Sequence, residues 1–264
     1  FALLILLTLG YYAAYLYKLK GAPAIGRGGA AWIVTAAVLF LMVGAVHVAV
    51  HLVHTQPQLW AKFATSPWSV LADPTFVPRL LHYLLAGLGF SGGVLAWWAV
   101  RQANRGVETE LNRHVAHYGW QWLMWTTVLQ AVDGFLLLFL LPEGVLGSFM
   151  RGGPATMVPL TLSIVGALGL LMMVSRVHHP AESPALVQGT VLALTVVVAV
   201  MTITRHQVRA LYLEPAMSLQ PAAAVVPQWL NFGLFVVLLL ASLGTVAYMV
   251  RRVLTSPASG AEAA

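Results

Sequence analysis

Seven runs of mainly apolar residues, at 1–17, 31–54, 79–101, 117–141, 157–177, 187–205 and 229–251, restrict this chain to one kind of fold. Most approach or exceed the roughly 20 residues that cross the hydrocarbon core of a bilayer as a helix. Backbone at that depth must satisfy its own hydrogen bonds, which helices do and lipid-facing irregular loops do not. Composition agrees: 59% of the 264 residues are hydrophobic and 8% charged, where a soluble domain carries roughly a quarter charged residues. The expectation is an all-α, polytopic membrane helical bundle with about seven transmembrane helices. It forms a single domain over residues 1–254, followed by a small, polar, disordered tail at 255–264. No internal repeat is visible, and no hydrophilic stretch is long enough to fold alone.

The breaks between the runs carry turn chemistry: Lys18 to Gly29, Gln56 to Pro78, Gln102 to Arg113, Pro142 to Pro154, His178 to Pro184, and Arg209 to Pro227. Residues 1–17 read as a retained helix rather than a cleaved signal, because basic residues follow the apolar run and no small-residue cleavage site is evident. Phe1 already lies inside that run, so the natural N-terminus is expected to be missing or processed.

Cysteine is absent. That removes disulfides, iron–sulfur clusters, thiolate zinc sites and covalent c-type haem attachment. A metal or haem must then be held by His, Met, carboxylate or hydroxyl groups. The formal charge of +6 is no argument for nucleic acid here, because membrane proteins collect Lys and Arg in cytoplasmic loops. Call side A the face reached at the end of the first helix. It holds Lys18, Lys20, Arg27, Arg101, Arg105, Arg113, Arg176, Arg251 and Arg252, against Lys62, Arg79, Arg151, Arg205 and Arg209 on side B. The bias puts side A in the cytoplasm and the N-terminus outside, in the periplasm of a bacterial inner membrane. Trp60 and Trp68 on side B, and Trp97, Trp98, Tyr118 and Trp120 on side A, read as interfacial aromatic belts.

The nine histidines gather at helix ends. His47, His51, His54, His82 and His206 sort to side B; His114, His117, His178 and His179 sort to side A. The first three stand at i, i+4 and i+7, on one helical face. At 1.5 Å per residue His47 lies about 10 Å deeper than His54, and polar groups at such depth are costly and usually functional. His82, about one turn inside the third run, matches His51 in depth on the next, antiparallel helix. Two imidazoles at one depth on facing helices suit bis-histidine haem ligation, with His82 opposite His51 or His47. His206 is a competing ligand; a second haem has two candidate places, on side A between His117 and His178, or on side B with His47, His51, His54, His82 and His206 divided between two haems. Arg79, one turn before His82, and Arg205 with Arg209 near His206 offer cations to haem propionates. At each single position, an ordinary interfacial histidine or arginine is the bland alternative.

Asp133 is the one acid clearly inside a run, about 12 Å from the side B end of its helix. It is a candidate proton carrier or partner for a quinol hydroxyl, or else an acid hydrogen-bonded to a neighbouring helix. Met172 and Met173 read as packing. Gly89, Gly92 and Gly93 read as a close-approach surface for a helix or a flat macrocycle, with helix packing the simpler account.

The stretch Asp73-Pro74 through Pro78-Arg79 and His82 to Ala86, running into Gly87 and Gly89, resembles a segment of subunit I of cytochrome bd-type quinol oxidases. In that family an N-P…P-R-x-x-H-x-x-x-A stretch opens a helix whose histidine is an axial ligand of a low-spin b haem on the periplasmic side. The resemblance, over about residues 35–140, implies that role for His82 and puts Arg79 at the preceding arginine. The chain departs from the family in being shorter and in lacking a hydrophilic quinol loop, the 142–156 connection being too short. It also lacks the helix glutamates near the oxygen-reducing haems and the GRGP-type motif. The family's other low-spin ligand is Met, whereas extra histidines are available here. The resemblance implies haem b near side B without oxygen reduction.

These readings converge on a membrane b-type cytochrome holding one or two haems b. It would relay electrons between quinone or quinol and redox partner subunits of a larger complex, c-type cytochromes among them. It reads as an electron-transfer subunit rather than a complete enzyme. The alternatives are a histidine-based metal-ion transporter and a non-catalytic membrane anchor subunit.

Overall fold

The computed structural model describes residues 2–21, 27–217 and 228–255, and among these every regular element is helical. The chain divides into two compact units, residues 1–219 and 220–264. In the first unit α1 spans Ala2–Leu16 and ends in a π-helical turn, Tyr17–Gly21; α2 spans Arg27–Thr55. A side B connection follows, with 3₁₀ turns at Pro57–Leu59 and Pro67–Ala72 around the short α3, Trp60–Thr65. Then come α4 (Phe76–Ala103), α5 (Thr109–Phe139), the short α6 (Glu143–Arg151), α7 (Pro154–Ser175), a 3₁₀ turn at Pro180–Glu182, and α8 (Pro184–Met217). The second unit contains α9, Trp229–Thr255.

Among the described residues seven helices are long and apolar enough to cross a membrane: α1, α2, α4, α5, α7, α8 and α9. The chain is an all-α polytopic membrane bundle.

Helix ends differ from the sequence expectation in informative places. The α5 helix starts at Thr109, eight residues before the apolar run, so His114 and His117 lie in its first turns rather than at its mouth. Hydropathy locates only the lipid-crossing part of a helix. The polar turn before it is helical too, with Glu110 and Arg113 paired at 3.0 Å across i, i+3. Likewise α8 continues past Arg209 to Met217, because nothing from Gln207 to Glu214 breaks a helix before Pro215. His206 is therefore mid-helix and does not close it. The connection from Pro142 to Pro154 contains α6, and α7 ends at Ser175, leaving His178 and His179 in a connection. The tail expected at 255–264 lies outside the described residues apart from Thr255.

The closest helix pair is α4 with α5, joined by a tight turn at residues 104–108. Buried positions on α4 include Gly89, Gly92, Gly93, Ala96, Ala99 and Val100; on α5 they are Ala116, Gly119, Trp120, Leu123, Thr126 and Asp133. Both sets recur every three or four residues, so each is one helical stripe. Small side chains let the backbones meet. A Cβ added at Gly92 would lie 2.7 Å from the Gly119 carbonyl oxygen, and one at Gly119 would lie 2.6 Å from the Gly92 oxygen. This is the small-residue packing that membrane helices use when burial of apolar surface gives no driving force. Gly89, Gly92 and Gly93 thus serve helix packing. Towards side A this pair joins α7 and α8 in one apolar cluster around Trp120, Leu123, Leu170, Val174 and Val187, where the Trp120 indole donates to the Val174 carbonyl at 3.0 Å. A second cluster at side B packs Val48 and Leu52 of α2 against Phe63, Val70 and Phe76.

Candidate functional site

One register runs along the α4–α5 pair. Ala96 faces Gly119 and Gly89 faces Thr126; seven residues further towards side B, His82 faces Asp133. The His82 Nδ1 lies 3.0 Å from the Asp133 Oδ2. The Asp133 side chain is 8% exposed and that of His82 27%. With Asp133 ionised and the imidazole neutral, the carboxylate can only accept, so Nδ1 carries the proton and donates it. The imidazole is then the Nδ1–H tautomer, and its Nε2 keeps a lone pair. A second α5 side chain holds the same residue, the Gln130 amide donating to the His82 carbonyl at 3.3 Å. Next to Asp133, Gly134 would bring an added Cβ only to 3.7 Å from His82 Cε1, an ordinary contact.

On the neighbouring faces of α4 the side B ends of α2 and α8 come together. His47 meets the Tyr83 ring edge-on, centroids 5.7 Å apart, and the Arg205 guanidinium lies over that ring at 5.2 Å. Arg79 lies over the Tyr212 ring at 5.9 Å, and its Nε donates to the Thr75 hydroxyl at 3.0 Å. Thr75 in turn donates its hydroxyl to Asp73 Oδ1 at 2.6 Å, and Gln56 at the end of α2 donates to Oδ2 at 2.8 Å. This small network ties the side B connection to the start of α4. Arg209 donates to His54 Nε2 at 2.9 Å, which uses that nitrogen's lone pair. His51, on the same α2 face as His47 and His54, is half-buried. Among the described residues no carboxylate lies within 4 Å of the Arg79, Arg205 and Arg209 guanidiniums, and Arg79 reaches Asp73 only through the Thr75 hydroxyl.

The structure adds a contact that the sequence reading did not group. His82 pairs with Asp133 on α5, and no hydrogen bond or ring contact among the described residues joins it to His47, His51 or His206. His47 and His206 are exposed on their helices. On side A, His117 is exposed and its Nε2 lies 3.0 Å from the Gln121 amide of the same helix; His178 is exposed in its connection. No hydrogen bond among the described residues links these two. Tyr83, Gln130 and Tyr212 belong to the site although sequence reasoning passed over them. Gln130 could have been found, since it sits one turn from Asp133 on the same face.

Among the described residues no three His, Asp or Glu side chains form a group that would hold a bare metal ion. The arrangement offers instead an imidazole with a carboxyl group behind it, and on the same side B three guanidiniums with no carboxylate within 4 Å among the described residues. Comparison with family models, with curated protein sequences and with solved structures finds no match to this chain.

Proposed function

We propose that this chain is a haem b-binding electron-transfer subunit of a bacterial inner-membrane complex, passing electrons between quinone or quinol and redox partner subunits. The observation that carries the reading is the His82–Asp133 hydrogen bond. Histidines that bind iron or zinc almost always donate their second ring nitrogen to a carboxylate, carbonyl or water. His82 has that arrangement inside a membrane-spanning helix, with Nε2 left as the ligating nitrogen. The donor chemistry fits a haem better than a bare ion. A porphyrin brings four nitrogens and asks the protein for one or two more, whereas transport sites for free metal ions need several side chains together.

His82 would be one residue holding the haem iron, and His51, His47 or His206 the side B candidates for the other; His117 and His178 would serve a second haem. Arg79, Arg205 and Arg209 would pair with propionates, a role supported by the lack of any carboxylate within 4 Å of them among the described residues. Bound haem supplies one-electron redox chemistry. The chain contributes orientation of the ligand, exclusion of water by the α4–α5 contact, and the charge balance around the site. Side B faces the periplasm in this reading, and c-type cytochromes are the expected partners there.

A reduced-minus-oxidised visible spectrum of the purified chain should show a sharp b-type α band, reducible by a quinol in its native complex without oxygen consumption. Absence of the band in haem-replete protein would leave the non-catalytic anchor as the better account.

A further inference from the structure

The geometry points to Asp133 as a positioning residue that sets the tautomer and the electron richness of His82, rather than as a carrier of quinol protons. This assignment rests on the haem reading above and deepens it. Three observations carry it. The Asp133 carboxylate is buried in the α4–α5 interface, with its Oδ2 on the His82 Nδ1 and no cation beside it among the described residues. Its place is fixed by the heptad register that also sets Gly89 against Thr126 and Ala96 against Gly119, so backbone packing holds the two helices at this spacing. Gln130, one turn away, binds the His82 carbonyl and fixes the other end of the same residue.

Two consequences follow from that contact. Orientation comes first: with Nδ1–H aimed at Asp133, the ring is held in one setting and Nε2 is the nitrogen left to ligate. Electron richness comes second. A carboxylate accepting from Nδ1–H pushes electron density towards Nε2 and makes it a more basic donor. A more basic ligand and a nearby negative charge both favour the ferric over the ferrous state. Asp133 therefore lowers the midpoint potential of the haem that His82 binds, and neutralising it raises that potential.

The test uses full-length protein carrying Asp133→Asn, Asp133→Glu or Asp133→Leu, with haem content, midpoint potential and the low-temperature EPR signal of the ferric haem as readouts. Asn can still accept from Nδ1–H, so Asp133→Asn should keep haem content and a low-spin signal while the potential rises. Asp133→Glu keeps the charge and should stay nearer the wild-type potential. Asp133→Leu leaves the ring unheld and should broaden the α band or lower haem content. If the Asn variant does not accumulate, Glu against Leu gives the same comparison. Wild-type potential and EPR signal in Asn or Leu, or equal shifts in Asn and Glu, would overturn the role of Asp133 alone. A wild-type protein with no α band would overturn the haem reading with it.

Discussion

His82 is gripped at both ends by one neighbour, its ring by Asp133 and its carbonyl by Gln130. Arg79, one turn earlier on the same helix, is turned towards Tyr212 of α8 instead. Charge decides the sign of each contribution. A guanidinium near a haem favours the ferrous state, so Arg79→Gln should lower the midpoint potential, opposite to Asp133→Asn; redox titration of the α band reads both. Trp120→Phe removes the indole hydrogen bond to the Val174 carbonyl while keeping most of the apolar ring. It should cost about 0.5–1.5 kcal/mol in chemical unfolding in detergent, with the α band unchanged. How much of this was legible varied by residue. His82, Arg79 and Asp133 stood out because ionisable groups inside apolar runs are rare. The contact between His82 and Asp133 was hidden, because depth along one helix does not say which residue of the next helix a side chain meets. The deciding pattern, small residues and one acid recurring every seven positions on α4 and α5, lies in two segments that must be read together.

At the scale of the element, α4 and α5 act as one rigid hairpin. Their contact at Gly92 and Gly119 is backbone against backbone, so an added methyl has no flexible side chain to displace. Gly119→Ala should separate the helices locally and cost about 1–3 kcal/mol. The same variant should also loosen haem retention, since the His82–Asp133 pair lies in the same interface. Gly144→Ala, where an added Cβ meets nothing within 4 Å, is the control and should change neither stability nor haem content. Here the sequence was a good guide to existence and a poor one to extent. All seven apolar runs became helices, yet α5 and α8 outran them. The lipid boundary and the helix boundary are different physical limits, one set by hydropathy and the other by caps and breakers. That is why His206 moved from a helix end to a helix interior.

For the whole molecule, the excess of Lys and Arg on side A supports the proposal that the opposite face, carrying the α2–α4 connection, lies in the periplasm. The chain has no cysteine, so single cysteines report topology without background. In right-side-out vesicles an impermeant thiol reagent should label Ser66→Cys in that connection and should reach Asn104→Cys, between α4 and α5, only after permeabilisation. The reverse pattern would turn the molecule over and move its redox partners to the cytoplasmic side. The central claim, however, is that His82 holds a haem. The most direct measurement is the reduced-minus-oxidised spectrum and extracted haem content of the purified full-length chain beside its His82→Ala variant. The account predicts a sharp b-type α band in the wild type that is lost or broadened in the variant, with less haem per chain. No band in haem-replete wild type, or the same band and haem content in both, would contradict it.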